Sequence, residues 1–250
     1  MLSLNKETKI RNLWGPEREL RDVTLIIIHG TSKDLVNKKS RIDKEKTCFH
    51  IKEFYKRGKI GPHFLIDWEG DVYQLLPLSR VAWHLRIRED SWQLYRSSEW
   101  RENIWLSSRM EEARIGTYDW WDKRWGASSP LDLWHPALRR PGDAQYRSIG
   151  IELIPKNGNY QEEQYIALAN LILFGLMPWL SIPLITKELR KHLMGGEDVH
   201  PITKTTFQKG GWDPGPNFDW DGVMGLLEEG TTQNPFLMKP DWQPDLGELT

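Results

Sequence analysis

Residues 23–32 read VTLIIIHGTS, and this stretch decides the fold class. Its first six residues are apolar or β-branched without alternation, the pattern of a central strand buried on both faces. The run breaks at His29-Gly30-Thr31-Ser32, a turn that leaves His29 at the strand's carboxyl end. A histidine on the end of a buried strand sits on a rigid platform. It is either a hydrogen-bonded structural residue or a metal ligand.

Working outward, Cys48, Ile51 and Phe54 recur at steps of three, which predicts an amphipathic helix over 42–57 that Gly58 ends. Residues 63–67 (HFLID) and 72–76 (VYQLL) flank Trp68-Glu69-Gly70-Asp71 and read as a hairpin. Residues 149–153 (IGIEL) form a further buried strand carrying one acid, Glu152. A carboxylate at an inward position is costly unless it is paired or functional, but periodicity does not decide which face it takes. Asn159 with Glu162 reads as a capping box opening a helix that runs to about Met177, where Pro178 stops it. A second helix follows Pro183 through LITKELRKHL. The chain beyond Met194 reads as loop as far as Asp219, which caps a last helix, WDGVMGLLEE, ended by Gly230. Strands and helices in this order indicate an α/β domain: a mixed β-sheet flanked by helices. The 250 residues make a single domain, with 231–250 as an extended tail.

Residues 85–147 do not fit the pattern and read as an insertion. They hold Trp92, Trp100, Trp105, Trp120, Trp121, Trp125 and Trp134, half of the 14 tryptophans. Such a segment builds its own small Trp core, extends a sugar-binding groove, or meets a protein partner.

Composition narrows the function. With 34 Lys+Arg against 35 Asp+Glu there is no basic field for nucleic acid or an anionic membrane. The one cysteine, Cys48, excludes an intrachain disulfide framework and a Cys-rich zinc site, and it reads as a small buried hydrophobe. The run from Tyr165 to Leu180 is shorter than the ~20 residues of a membrane span and is broken by Asn170, Gly175 and Pro178. The polar start, MLSLNKETKIRNLWGPEREL, has no apolar signal core. The expectation is a protein made in the cytoplasm; if it works outside, something other than a signal peptide exports it.

Four motifs in order carry a resemblance. IIIHGTS resembles the first zinc-histidine strand of the type-2 N-acetylmuramoyl-L-alanine amidases, the family that includes peptidoglycan recognition proteins. GPHFLIDWEGDVYQLLPLSRVAWH, residues 61–84, resembles that family's hairpin and its following Ala-Trp-His. SIGIEL, residues 148–153, resembles the strand bearing the catalytic glutamate, and WDPGPNFDW resembles the aspartate-ligand loop. The likeness covers 20–84 and 148–228 but not 85–147. It implies a mixed sheet with a shallow groove over its carboxyl-end face, and a zinc that activates water to cut between muramic acid and L-alanine. Peptidoglycan or a soluble muropeptide would be the partner. Glu152 would be general base and acid. His29 and Asp213 match two zinc ligands, and His63, Trp83 and His84 fall where groove contacts are expected. For His63 and His84, plain bonding to backbone groups is the alternative.

The third ligand departs from the family. Register from Pro201 puts Gly196 where the histidine belongs, and Gly211 stands in place of an oxyanion-binding lysine. Three explanations follow. His200 swings in as the ligand with Lys209 replacing the lysine; or the site is degenerate and only binds muropeptide or a protein partner; or Gly196 is an engineered knockout. His192 ranks below His200 as a ligand, because it falls on the preceding helix.

Overall fold

In the computed structural model the described residues are 4–5, 14–31, 52–53, 55, 57, 61–85, 143–183, 189, 192–196, 213–215, 217–231 and 243–247. Six strands form one sheet: β1 (Leu4–Asn5), β3 (Leu25–Gly30), β4 (Phe64–Ile66), β5 (Val72–Gln74), β7 (Ser148–Leu153) and β8 (Leu193–Gly195). Their order is β1-β5-β4-β7-β3-β8. The β4–β5 hairpin is antiparallel and the other pairings are parallel, so the sheet is mixed, as the sequence indicates. Two further strands, β2 (Trp14–Glu17) and β6 (Arg80–Ala82), pair antiparallel beside it.

β7 lies at the middle of the sheet and β3 beside it, paired on both edges by β7 and β8, which suits their uniformly apolar sequences. Alternate side chains serve the two faces. Ile26, Ile28, Phe64, Ile66, Ile149, Ile151 and Leu153 point to one side and bury against helix α2 (Glu162–Asn170), its π-helical continuation Leu171–Leu176, and helix α3 (Trp220–Thr231). On the other side Leu65, Leu75, Leu76 and Ala82 pack with Tyr55 and Trp68. His29, Gly150 and Glu152 belong to this second face, which carries the site.

Several local expectations shift by small amounts. Helix α2 starts at Glu162, with Gln161 as its cap. The Gln161 N–H donates to Gln164 Oε1 at 3.1 Å, so the box is Gln161–Gln164 rather than Asn159–Glu162. Asn159 instead closes a tight turn with Lys156 across Asn157 and Gly158, both at positive φ, the conformation an Asn-Gly pair tolerates best. Buried Gln164 donates to the carbonyls of Ile66 and Ile154, tying α2 to the edge between β4 and β7. Asp219 does cap the last helix: Gly222 N–H donates to Asp219 Oδ1 at 2.9 Å. Strand β8 falls where the sequence suggests the end of a helix and then a loop. Its three residues, Leu-Met-Gly, are too few to show a period.

Within the tail, residues 243–247 lie against the end of β5 and the β5–β6 link, where Asp245 exchanges hydrogen bonds with the Gln74 side chain and its carbonyl accepts the Leu78 N–H. Of the helix expected over 42–57, residues 52, 53, 55 and 57 are helical. Cys48 and the tryptophans of 92–134 lie outside the described residues, and the helix α1 (Asp143–Tyr146) leads out of that segment into β7. Among the described residues no helix is long and apolar enough to cross a membrane.

Candidate active site

The β3–β7 register sets His29 beside Glu152, each the penultimate residue of its strand. Residues paired across parallel strands point to the same side, so both side chains rise from the second face at the sheet's carboxyl end. His29 is buried and Glu152 is half-buried. The face that periodicity left undecided for Glu152 is set by this pairing. On the far side of Glu152, Leu65 of β4 completes the row.

Asp213 comes to His29 from the turn before α3. Its Oδ2 lies 2.8 Å from His29 Nδ1 and its Oδ1 accepts the Gly30 N–H at 2.6 Å. Tyr160 donates its hydroxyl to the carbonyl of Pro214 at 2.7 Å, anchoring the same turn from the front of α2. Gly30 leaves room for this bond, because a Cβ there would displace the Tyr160 hydroxyl and sit 3.2 Å from the Pro214 backbone.

His84 extends the network. Its Nδ1 is 2.8 Å from His29 Nε2, and its Nε2 is 2.9 Å from Ser148 Oγ. One set of protons satisfies every link. With protons on His29 Nδ1 and His84 Nδ1, His29 donates to Asp213, His84 donates to His29 Nε2, and the Ser148 O–H turns to His84 Nε2 instead of the Gln145 carbonyl 3.5 Å away. Room for the His84 ring comes from Gly150, where a Cβ would stand 2.6 Å from His84 Cγ and Nδ1.

His63 takes a different place. It is fully buried, accepts the Gly150 N–H on Nδ1 at 3.0 Å and donates from Nε2 to the Arg80 carbonyl at 2.9 Å. Burial, and then the Arg18 guanidinium 2.8 Å from Nε2, hold it well below the ordinary histidine range, so it is neutral. Of the two readings for this residue, backbone bonding is what its surroundings match, and with no exposed surface it meets no ligand directly. Arg18 itself is buried, donates to the carbonyls of Leu78, Tyr146 and Ser148, and is lowered by that burial to about 9. Trp83, next to His84, is 42% exposed, the one large apolar side chain so exposed among the described residues.

Position 196 follows directly from the β8 register. Gly195 pairs with Ile28, so Gly196 stands beside His29. A Cβ there would lie 2.6 Å from Asp213 Oδ2 and 2.7 Å from His29 Nδ1, which is where a third ligand would join them. Glycine offers no donor, and the two donors present are closed onto each other. Among the described residues no group of three His, Cys, Asp or Glu could hold a metal ion. These residues therefore do not make up a zinc centre. His192 is turned away, its Nδ1 bonded to the Thr24 carbonyl at 2.7 Å near the start of β3. His200 and Lys209 lie outside the described residues.

Three contributors escaped the sequence reading. Tyr55 is buried against Leu65, the neighbour of Glu152. Burial, and then the Glu152 carboxylate, push its phenol well above the usual range, so it stays protonated. Its signal was the position four residues after Ile51, on the same helical stripe. Ser148 and Tyr160 carry no signal of their own, since each acts through a neighbour remote in sequence.

Residues 19–216 match the family described as N-acetylmuramoyl-L-alanine amidase. No curated protein matches. Similar solved structures include a selenomethionine AmpD derivative, at 18% identity over 90% of this chain and 93% of that one with a TM-score of 0.46. A mutant endolysin from Bacillus subtilis is 14% identical over 91% of this chain and 99% of its own, also with a TM-score of 0.46. The N-acetylmuramoyl-L-alanine amidase LysC from Clostridium intestinale is 17% identical over 91% and 97%, with a TM-score of 0.41. On the match that spans residues 19–216, the chain belongs to the N-acetylmuramoyl-L-alanine amidase family.

Proposed function

We propose that this chain works on the amide between N-acetylmuramic acid and L-alanine in peptidoglycan or a soluble muropeptide, with Glu152 as the proton-transfer group. The observation that carries this reading is the pairing of His29 with Glu152 at the carboxyl end of the sheet. Hydrolysis needs a water attacking the lactyl carbonyl. Glu152 takes a proton from that water and returns it to the departing amine as the carbon–nitrogen bond breaks. The products are a muramic acid carboxylate and a peptide with a free amino terminus. Buried Tyr55, kept protonated in part by the Glu152 carboxylate, packs against Leu65 beside it, and exposed Trp83 offers a flat apolar face to a sugar ring. Lys209 is the cation assigned to the developing oxyanion. Zinc belongs to this reading only through His200 as the donor that Gly196 lacks, beside His29 and Asp213.

Gly196 favours a second reading, in which the chain binds muropeptide or a protein partner without cleaving anything. A partner would meet the Trp-rich segment. The two readings separate in one experiment: incubation with a muramoyl-L-alanyl peptide, following new amino termini, for the wild type and Glu152→Gln. Turnover abolished by the substitution supports the enzyme. Binding without turnover in both proteins supports the second reading.

A further inference from the structure

In a metal centre the ligand loops are held together by the ion. Here the two matching residues bond to each other, and each is also held from elsewhere. Asp213 accepts from Gly30 N–H at 2.6 Å as well as bonding His29 at 2.8 Å. His29 is held from its other nitrogen by His84, and His84 by Ser148. The turn that carries Asp213 is fixed again by Tyr160 on the Pro214 carbonyl. His29 and Asp213 are 3% and 4% exposed, so water does not compete strongly for these bonds.

We propose that the hydrogen-bonded chain Ser148–His84–His29–Asp213, together with the Tyr160–Pro214 bond, fastens the Asp213 turn to the sheet in place of a metal ion, so that the architecture of the site does not depend on zinc. Two features carry this. His29 and Asp213 meet each other directly over Gly196, which supplies no side chain between them, so a Cβ at that position would crowd both. And the turn that carries Asp213 is held by bonds that involve no ion, from Gly30 N–H at 2.6 Å and from the Tyr160 hydroxyl on the Pro214 carbonyl at 2.7 Å. Gly150 belongs to the same device, because only a residue without a Cβ admits the His84 ring. The inference stands apart from the question of turnover. A protein that cleaves and one that only binds would share the same metal-free fastening.

The test reads the Gly30 amide, whose acceptor is a side-chain oxygen of Asp213. Amide hydrogen exchange is followed on the full chain after exhaustive chelation and again with zinc added back. Slow exchange of Gly30 in the chelated protein is the expected result. That protection should be lost in Asp213→Ala and reduced in Tyr160→Phe, while the amides of Ile149 and Ile151 in β7 stay slow and report an intact sheet. Free exchange of Gly30 in the chelated wild type, with protection returning only on zinc addition, overturns the proposal. So does a Gly30 rate unchanged by Tyr160→Phe, the milder variant, whose fold is kept if Asp213→Ala fails to fold.

Discussion

His29 and Asp213, 184 residues apart in the chain, meet side chain to side chain at 2.8 Å directly over Gly196. The contact joins the end of a central strand to the turn before the last helix. It also marks the difference between this chain and a three-ligand zinc centre. The outcomes below turn on this corner and on the row of residues beside it.

Gly196→His should restore a metal site. The new side chain enters where His29 and Asp213 now touch, and an ion coordinated by all three relieves the crowding that a Cβ alone would cause. Elemental analysis should show a full equivalent of zinc per chain in this variant. Running His200→Ala beside it shows whether the wild type draws on His200: zinc retained by the wild type and lost in that variant identifies His200 as its donor.

Glu152→Gln should remove turnover by about 10²–10⁴-fold, the usual worth of a general acid–base group, while leaving muropeptide affinity nearly unchanged. Steady-state kinetics with a muramoyl-L-alanyl peptide and calorimetric binding give both numbers. An activity loss carried entirely by KM would mean that Glu152 holds substrate and moves no proton.

Gly150→Ala should expel the His84 ring. The added Cβ would come 2.6 Å from Cγ and Nδ1, so the ring has to leave or β7 has to shift. Overpacking of this kind costs about 1–3 kcal/mol. The thermal midpoint should fall by roughly 2–4 °C per kcal/mol in a chain of this size. His84→Ala in the same background should recover part of the loss, since it removes the clashing ring.

Acid should weaken the fold through His63. Burial and Arg18 hold this residue well below its ordinary value, so the native state stays neutral while the unfolded chain takes up a proton near pH 6.5. The unfolded state then binds more protons, and stability rises with pH in that window. The contribution is present in full above about pH 6.5 and is lost as pH falls below it, by up to about 1.4 kcal/mol per pH unit. Thermal midpoints measured from pH 7 to 5 should drop more steeply for the wild type than for His63→Gln. Parallel slopes would show that another group carries the acid sensitivity.

Much of this was legible without coordinates. The unbroken VTLIII run marks a strand buried on both faces, and β3 is an interior strand of the sheet, paired with β7 and β8. The hairpin was readable from two apolar runs around a Gly-containing turn, and the last helix from Asp219 and the apolar spacing behind it. β8 was not readable, because a three-residue strand has no period and becomes a strand only by pairing with β3. The Asn159 turn competed with a helix start, and only the wider packing of Gln164 decided where α2 begins.

The sequence by itself determined which residues are available: a histidine closing a buried strand, an acid inside another, an aspartate in a proline-locked turn, and a glycine in place of a ligand. All of these are properties of short stretches, readable from residue type and local spacing. The tertiary structure alone decided which of them meet. The parallel register turned Glu152 to the side of His29, buried His63 out of reach, and brought Asp213 down onto Gly196. The reason is physical. A residue's face and partner depend on strand pairings between segments far apart in the chain, and shifting a pairing by one residue turns every side chain to the opposite face.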